Sequence, residues 1–212
     1  MSSSPSVVLL AAGGTGGHLF PAQALATELQ RHGVAVELAT DERAAGYAKD
    51  FPARRIHALP AATPSSGSAL AKLGAIATLA RGVIVARSRI KTIAPAAIVG
   101  FGGYPTVPPM LAGSLLGAAT ILHEQNGVLG RANRFLAGRA TAIATGFATV
   151  RGVDGALAAK ASHVGNPVRP AVLEAARQPL RPFAPGGGLH LLAFAGGGGH
   201  QGPPRPLRRH PR

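Results

Sequence analysis

The stretch AAGGTGGHLFPA, residues 11–22, sets four glycines and a histidine directly behind the apolar run Ser6-Val7-Val8-Leu9-Leu10. Glycines at the point where a buried strand turns into a helix leave backbone N–H groups open. Such a nest at a helix N-terminus suits an anion, a diphosphate above all. Two nucleotide-loop patterns fail on spacing. A Walker loop needs a lysine followed by a hydroxyl residue, which residues 13–19 do not supply, and from Gly14 and Gly16 the third glycine of a dinucleotide fingerprint would fall at Leu19. A plain tight turn is the competing reading of the glycines. His18 is placed to donate to a phosphate or to take a proton near neutral pH, with a packed or helix-capping imidazole as the alternative.

A second glycine loop, Gly100-Phe101-Gly102-Gly103-Tyr104-Pro105, again follows an apolar run, and Pro108 and Pro109 suit the first turn of a helix behind it. Two anion-competent loops on one sheet edge can clamp a single diphosphate; a structural turn competes with this reading. A third group, His123-Glu124-Gln125-Asn126, follows the run Ala119–Leu122. Read as a polar cluster at a strand's carboxyl edge, it suits acid/base work or hydrogen bonds to a sugar, against a capping cluster ahead of the next helix. With one carboxylate beside His123 it makes a poor metal site, and no cofactor is implied.

These loops need a scaffold, and the apolar runs supply one. Strands are predicted at Val7–Ala11, Val34–Ala39, Arg55–Leu59, Ala97–Gly100, Ala119–Leu122, Thr141–Ala144 and Ser162–Val164. Helices are predicted near Pro21–His32, Leu70–Thr92, Pro109–Leu116 and Leu129–Ala137. This alternation predicts an α/β fold with a doubly wound, Rossmann-like parallel sheet, whose ligands bind at the carboxyl ends of the strands. Beyond Gly165-Asn166-Pro167 the pattern weakens. The expected organisation is a first domain over residues 1–168, a linker over 169–188, and the start of a second α/β domain over 189–212, opened by a strand at Leu189–Phe194.

Composition narrows the function classes. The chain has 212 residues, 46% hydrophobic and 14% charged, which fits a globular, helix-rich protein. Its formal charge of +14 suits partners bearing phosphate or anionic lipid, although a GC-rich coding sequence also yields arginine in excess. Zero cysteines exclude disulfides and thiolate metal sites. With no tryptophan, two tyrosines and scattered arginines, nucleic acid is not an expected partner. The opening residues lack the basic stretch of a secretory signal, so no export is expected. Prolines and glycines break the charge-free stretch 92–123 well short of the ~20 apolar residues that a spanning helix needs. The helix at Leu70–Thr92 combines Leu73, Ile76, Leu79, Val83, Ile84 and Ile90 with Lys72, Arg81, Arg87, Arg89 and Lys91. It reads as a surface that can lie on anionic headgroups or as an ordinary packed helix, with Gly74 and Gly82 as points of interruption.

Taken in order, Gly13-Gly14-Thr15-Gly16-Gly17-His18 with Phe20-Pro21, Gly102-Gly103-Tyr104-Pro105, His123-Glu124-Gln125-Asn126 with Asn133-Arg134, and Gly165-Asn166-Pro167-Val168-Arg169 resemble the MurG family of bacterial N-acetylglucosaminyltransferases. The resemblance implies the acceptor half of a two-domain GT-B enzyme. Its reaction would transfer N-acetylglucosamine with inversion from UDP-N-acetylglucosamine to undecaprenyl-diphospho-N-acetylmuramoyl-pentapeptide (lipid I), giving lipid II for peptidoglycan. By analogy, Gly13, Gly14, Gly102, Gly103 and Tyr104 face the acceptor diphosphate, and Thr15, Gly16, Gly17, Asn126 and Arg169 reach the donor. His18 would be the catalytic base or a partner of the reacting groups, with Glu124 as its rival, and no metal ion is required. Arg81, Arg87 and Arg89 would touch the anionic surface at the cytoplasmic face of the cell membrane, where such an enzyme is peripheral. The alternative is a noncatalytic acceptor- or anion-binding fragment. Where the family continues Gly-Gly-Ser-Gln-Gly-Ala, this chain reads Ala195-Gly196-Gly197-Gly198-Gly199-His200-Gln201-Gly202-Pro203-Pro204 and ends at Arg212. The expectation drawn from that departure is a truncation by frameshift near Gly196–Gly199.

Overall fold

The apolar runs become seven strands: β1 (Val7–Ala11), β2 (Ala35–Thr40), β3 (Arg55–Ala58), β4 (Ala97–Gly100), β5 (Thr120–Glu124), β6 (Ala142–Thr145) and β7 (Ala161–His163). In the computed structural model, which describes residues 6–13, 16–63 and 68–179, they pair in the order β3-β2-β1-β4-β5-β6-β7, and every pairing is parallel. Parallel strands buried on both faces read as continuous apolar runs, which is why their positions were visible in the sequence. The predicted strand Leu189–Phe194 and residues 180–188 of the predicted linker lie outside the described residues.

Side-chain alternation sends Leu9, Ile98, Leu122 and Ile143 to one face and Leu10, Val36, Leu38 and Val99 to the other. The first face is covered by α3 (Ala69–Ile93), α4 (Val107–Leu115) and α5 (Arg131–Ala137), and the second by α1 (Gly16–Arg31). Shorter helices complete the described chain: α2 (Glu42–Tyr47), α6 (Gly155–Ala158) and α7 (Pro170–Ala176). Helices on both faces of a parallel sheet bear out the predicted α/β class. The compact unit runs through Arg177, so it includes α7, in a stretch where a linker was predicted.

Two elements depart from expectation in ways that matter for the site. Helix α1 starts at Gly16, not at Pro21, so Gly16, Gly17 and His18 form its first turn and Pro21 lies inside it. A proline there withholds one N–H from the helix ladder. Strand β5 runs on through His123 and Glu124, which are buried within the sheet and not free at its edge.

Neither glycine interrupts α3, which is capped by Ser68 through a 3.3 Å bond from Ala71 N. Gly74 is open, whereas a Cβ on Gly82 would strike the Pro60 carbonyl and come within 2.9 Å of Pro108 Cγ. Alanine substitutions at these two positions therefore differ in sign. Gly74→Ala is expected to raise unfolding stability by up to about 1 kcal/mol through helix propensity. Gly82→Ala should lose roughly 1–2 kcal/mol, because overpacking outweighs that same gain. Urea midpoints of the two variants check this.

The buried charge on β2 is matched. Glu37 accepts from Arg54 Nε at 2.7 Å and lies 2.6 Å from His57 Nε2. Burial alone would raise its pKa, but the bonds to His57 and Arg54 hold it below the ordinary carboxylate value.

Candidate functional site

The strand order reverses between β1 and β4, and at such a switch point the loops leaving adjacent strand ends diverge to open a crevice. β1 runs into Gly13 and β4 into Gly102-Gly103, with Ala11 paired opposite Gly100. Both glycine loops thus leave the sheet side by side. Thr106, buried in the 3-10 turn Tyr104–Thr106, ties them together: its Oγ1 lies 2.6 Å from the Gly102 carbonyl and 3.2 Å from the Ala11 carbonyl.

His18 fills the gap between the loops. Gly102 and Gly103 have φ of +90° and +75°, and a Cβ on either would come within 3.2 Å of the His18 ring. These positions need glycine twice over, for the left-handed backbone and for the imidazole beside it. Gly13 is as tightly placed, since a Cβ there would lie 2.7 Å from Thr40 Oγ1 and 3.0 Å from Pro105 Cβ.

Two cavities meet at this histidine. The larger, about 690 Å³, is lined by Gly13, His18, Gly103 and Tyr104 together with Asp41, Arg43, Thr63, Thr78 and Arg81. The smaller, about 250 Å³, is lined by His18, Gly102, Gly103, Tyr104, Glu124, Asn126, Arg131 and Asn133. His18, Gly103 and Tyr104 line both, so the imidazole forms part of the wall between them.

Glu124 is 1% exposed, and its carboxylate is saturated. Oε1 accepts from Asn126 N (3.0 Å) and Asn126 Nδ2 (2.9 Å), and Oε2 from Gly130 N (2.9 Å) and Asn133 Nδ2 (2.9 Å). The four donors fix the turn after β5 and aim Asn126. His123, tilted against Phe101 with ring centroids 5.4 Å apart, bonds through Nε2 to the Gly165 carbonyl at 3.0 Å. Burial lowers its pKa, partly offset by that carbonyl and by Glu124.

The segment after β7 is tied back to the same edge. Asn166 Nδ2 donates to the Gln125 carbonyl at 3.2 Å, and Gly146 leaves the space its side chain occupies. The Arg169 guanidinium stacks 3.8 Å from the Phe20 ring centroid, and a Cβ on Gly16 would lie 2.9 Å from that ring. Arg169 therefore meets α1 at Phe20, whose ring also covers Gly16.

Of the residues predicted from sequence, the structure brings Gly13, His18, Gly102, Gly103, Tyr104, Glu124 and Asn126 to one crevice, with Gly16, Gly17 and Arg169 on its α1 side. Gly14 and Thr15 lie outside the described residues. Arg81 lines the larger cavity, whereas Arg87 and Arg89 stand exposed further along α3 and line neither of these cavities. Sequence reasoning gave Thr106, Phe20 and Asn133 no site role of their own, and read Gln125 only together with its neighbours as suited to acid/base work or hydrogen bonds to a sugar. The contacts that give Phe20 and Gln125 their roles, to Arg169 and His18, join distant parts of the chain, and only their place in the quoted motifs, shared by Asn133, signalled them.

The glycosyltransferase family 28 N-terminal domain matches residues 8–145. The UDP-N-acetylglucosamine--N-acetylmuramyl-(pentapeptide) pyrophosphoryl-undecaprenol N-acetylglucosamine transferase of Methylobacterium radiotolerans is 56% identical over 192 residues, covering 91% of this chain and 52% of that protein. The enzyme of the same name from Rhizobium rhizogenes is 50% identical, covering 93% of this chain and 52% of its own length. The crystal structure of Acinetobacter baumannii MurG superposes with a TM-score of 0.65 at 28% identity, covering 84% of this chain and 50% of that one. The chain spans about half the length of the curated relatives it matches. Motifs, sheet topology and sequence similarity converge: this chain belongs to glycosyltransferase family 28 and carries that family's N-terminal domain.

Proposed function

We propose that the protein is the acceptor-binding half of an inverting N-acetylglucosaminyltransferase that converts undecaprenyl-diphospho-N-acetylmuramoyl-pentapeptide to lipid II with UDP-N-acetylglucosamine as donor. The observation that carries this reading is the position of His18, enclosed by two glycine loops at the sheet's switch point and shared by two cavities. One cavity for each substrate, with a titratable group between them, is what a direct displacement requires.

In this reading the larger cavity takes the acceptor. Gly13, Gly14, Gly102, Gly103 and Tyr104 face its diphosphate, and Arg81 and Arg43, which line the same cavity, supply positive charge. The smaller cavity lies on the donor side, where Asn126, Gly16, Gly17, Thr15 and Arg169 contribute. His18 accepts the proton of the sugar 4-hydroxyl as that oxygen bonds to the donor's anomeric carbon and the bond to UDP breaks. Glu124 then positions the loop that carries Asn126, since a carboxylate already holding four donors is a poor base.

Binding tests the reading. Isothermal titration of this chain with a soluble diphosphate-linked muramoyl-peptide analogue is expected to show binding that weakens about tenfold in Arg81→Ser, the loss of one charge-assisted contact. Absent binding, or binding indifferent to Arg81, would remove the acceptor assignment.

A lipid-linked acceptor also requires a membrane surface, and α3 supplies one. Leu70, Leu73, Ile76 and Ile84 are each more than half exposed, followed along the helix by exposed Arg87 and Lys91. The helix is long and apolar enough to cross a bilayer by composition. It also buries Ala75, Gly82, Ala86 and Ile90 against the domain, which favours lying on the cytoplasmic leaflet over spanning it. Neutralising Arg87 and Arg89 together should weaken co-sedimentation with anionic vesicles by about fivefold per charge, and Ile84→Asp should weaken it further. Unchanged sedimentation would rule this face out.

A further inference from the structure

Gln125 stands between two histidines, and the polarity of its contacts has a chemical consequence. Its Nε2 lies 2.9 Å from the Phe101 carbonyl, 3.3 Å from the His123 carbonyl and 3.2 Å from His123 Nδ1, while its Oε1 lies 3.3 Å from His18 Nδ1. Carbonyl oxygens only accept, so the amide nitrogen must face Phe101 and His123; turning the amide over would set oxygen against oxygen. The far end of the chain agrees. His123 Nε2 faces the Gly165 carbonyl, so it carries the ring proton, and in the neutral ring Nδ1 is left bare to accept from Gln125. Burial, which disfavours the charged form of His123, favours that neutral ring.

With every other contact fixed, Gln125 Oε1 is an acceptor facing His18 Nδ1. We infer that Gln125 is a positioning residue that holds His18 as its Nδ1–H tautomer and leaves the Nε2 lone pair free as the basic atom. The proton order runs in one direction from the Gly165 carbonyl through His123 and Gln125 to His18, so the segment leaving β7 and the first turn of α1 share one hydrogen-bonded chain. Without this acceptor, the ring would be free to place its proton on Nε2 and present no base to a hydroxyl on that side. The inference rests on the proposed role of His18 for its significance, but the tautomer itself can be measured without turnover.

The experiment is side-chain ¹⁵N NMR of the histidines in the whole 212-residue chain, at a pH where His18 is neutral, with His18 assigned from the signal lost in a His18→Gln variant. In the unmodified chain the Nδ1–H form of His18 is expected to exceed the Nε2–H form by about tenfold, the bias of one net hydrogen bond. Gln125→Met should abolish that excess. His18 protonated on Nε2 in the unmodified chain overturns the inference even if a variant fails to fold. So does an unaltered tautomer in Gln125→Met. Failure of the acceptor analogue to bind would remove the functional reading and leave the tautomer result standing.

Discussion

His18→Ala, introduced into a polypeptide that carries both halves of the enzyme, is expected to lower kcat by about 10²–10⁴-fold, the usual contribution of a positioned general base. The effect should fall on turnover more than on substrate binding. The glycine loops keep their shape through Thr106 and the left-handed backbone at Gly102 and Gly103, neither of which depends on the imidazole. Stability should change little, since the ring is only half-buried and, among the described residues, its one side-chain bond is to Gln125. Steady-state kinetics, paired with titration of the acceptor analogue, separate the two effects. Normal turnover would remove His18 from the mechanism.

Glu124→Ala should act in the opposite way, on the fold before the chemistry. Removing the carboxylate strands Asn126 N and Gly130 N and leaves Asn133 Nδ2 with the His123 carbonyl alone, and each unsatisfied donor costs roughly 1–3 kcal/mol where water does not reach it. A loss of about 3 kcal/mol in urea unfolding is expected, because part of the turn can recover bonds to solvent. Glu124→Gln is no rescue. One of the two carboxylate oxygens would become an NH₂ facing donors, so either the Asn126 pair or the Gly130–Asn133 pair is opposed. A Glu124→Gln variant as stable as the parent would show that the four bonds contribute little.

The contrast between these residues shows what the sequence could carry. The central strands β1 and β4 were legible because parallel strands covered on both faces are apolar throughout. Two loops on one sheet edge were legible because glycines follow two of those strands, whereas the reversal of strand order between them was not. His123 and Glu124 were misplaced at the strand edge for a physical reason: polarity in a one-dimensional pattern signals exposure, and burial became tolerable only through donors at 126, 130 and 133 and a carbonyl at 165. The start of α1 was misplaced because proline favours a first helical turn. That preference was overridden in a helix whose first turn packs Phe20 between Gly16 and Arg169, a contact that no local window contains. Gln125 was quoted in a motif, but its role depends on which atoms face it.

Helix α3 buries one side and leaves a row of aliphatic side chains bare on the other. In bulk water such a row is a liability, because two copies can hide it from solvent by pressing together. Purified protein should therefore clump as concentration rises and disperse again in mild detergent. Single acidic replacements along the row should improve recovery without touching the crevice.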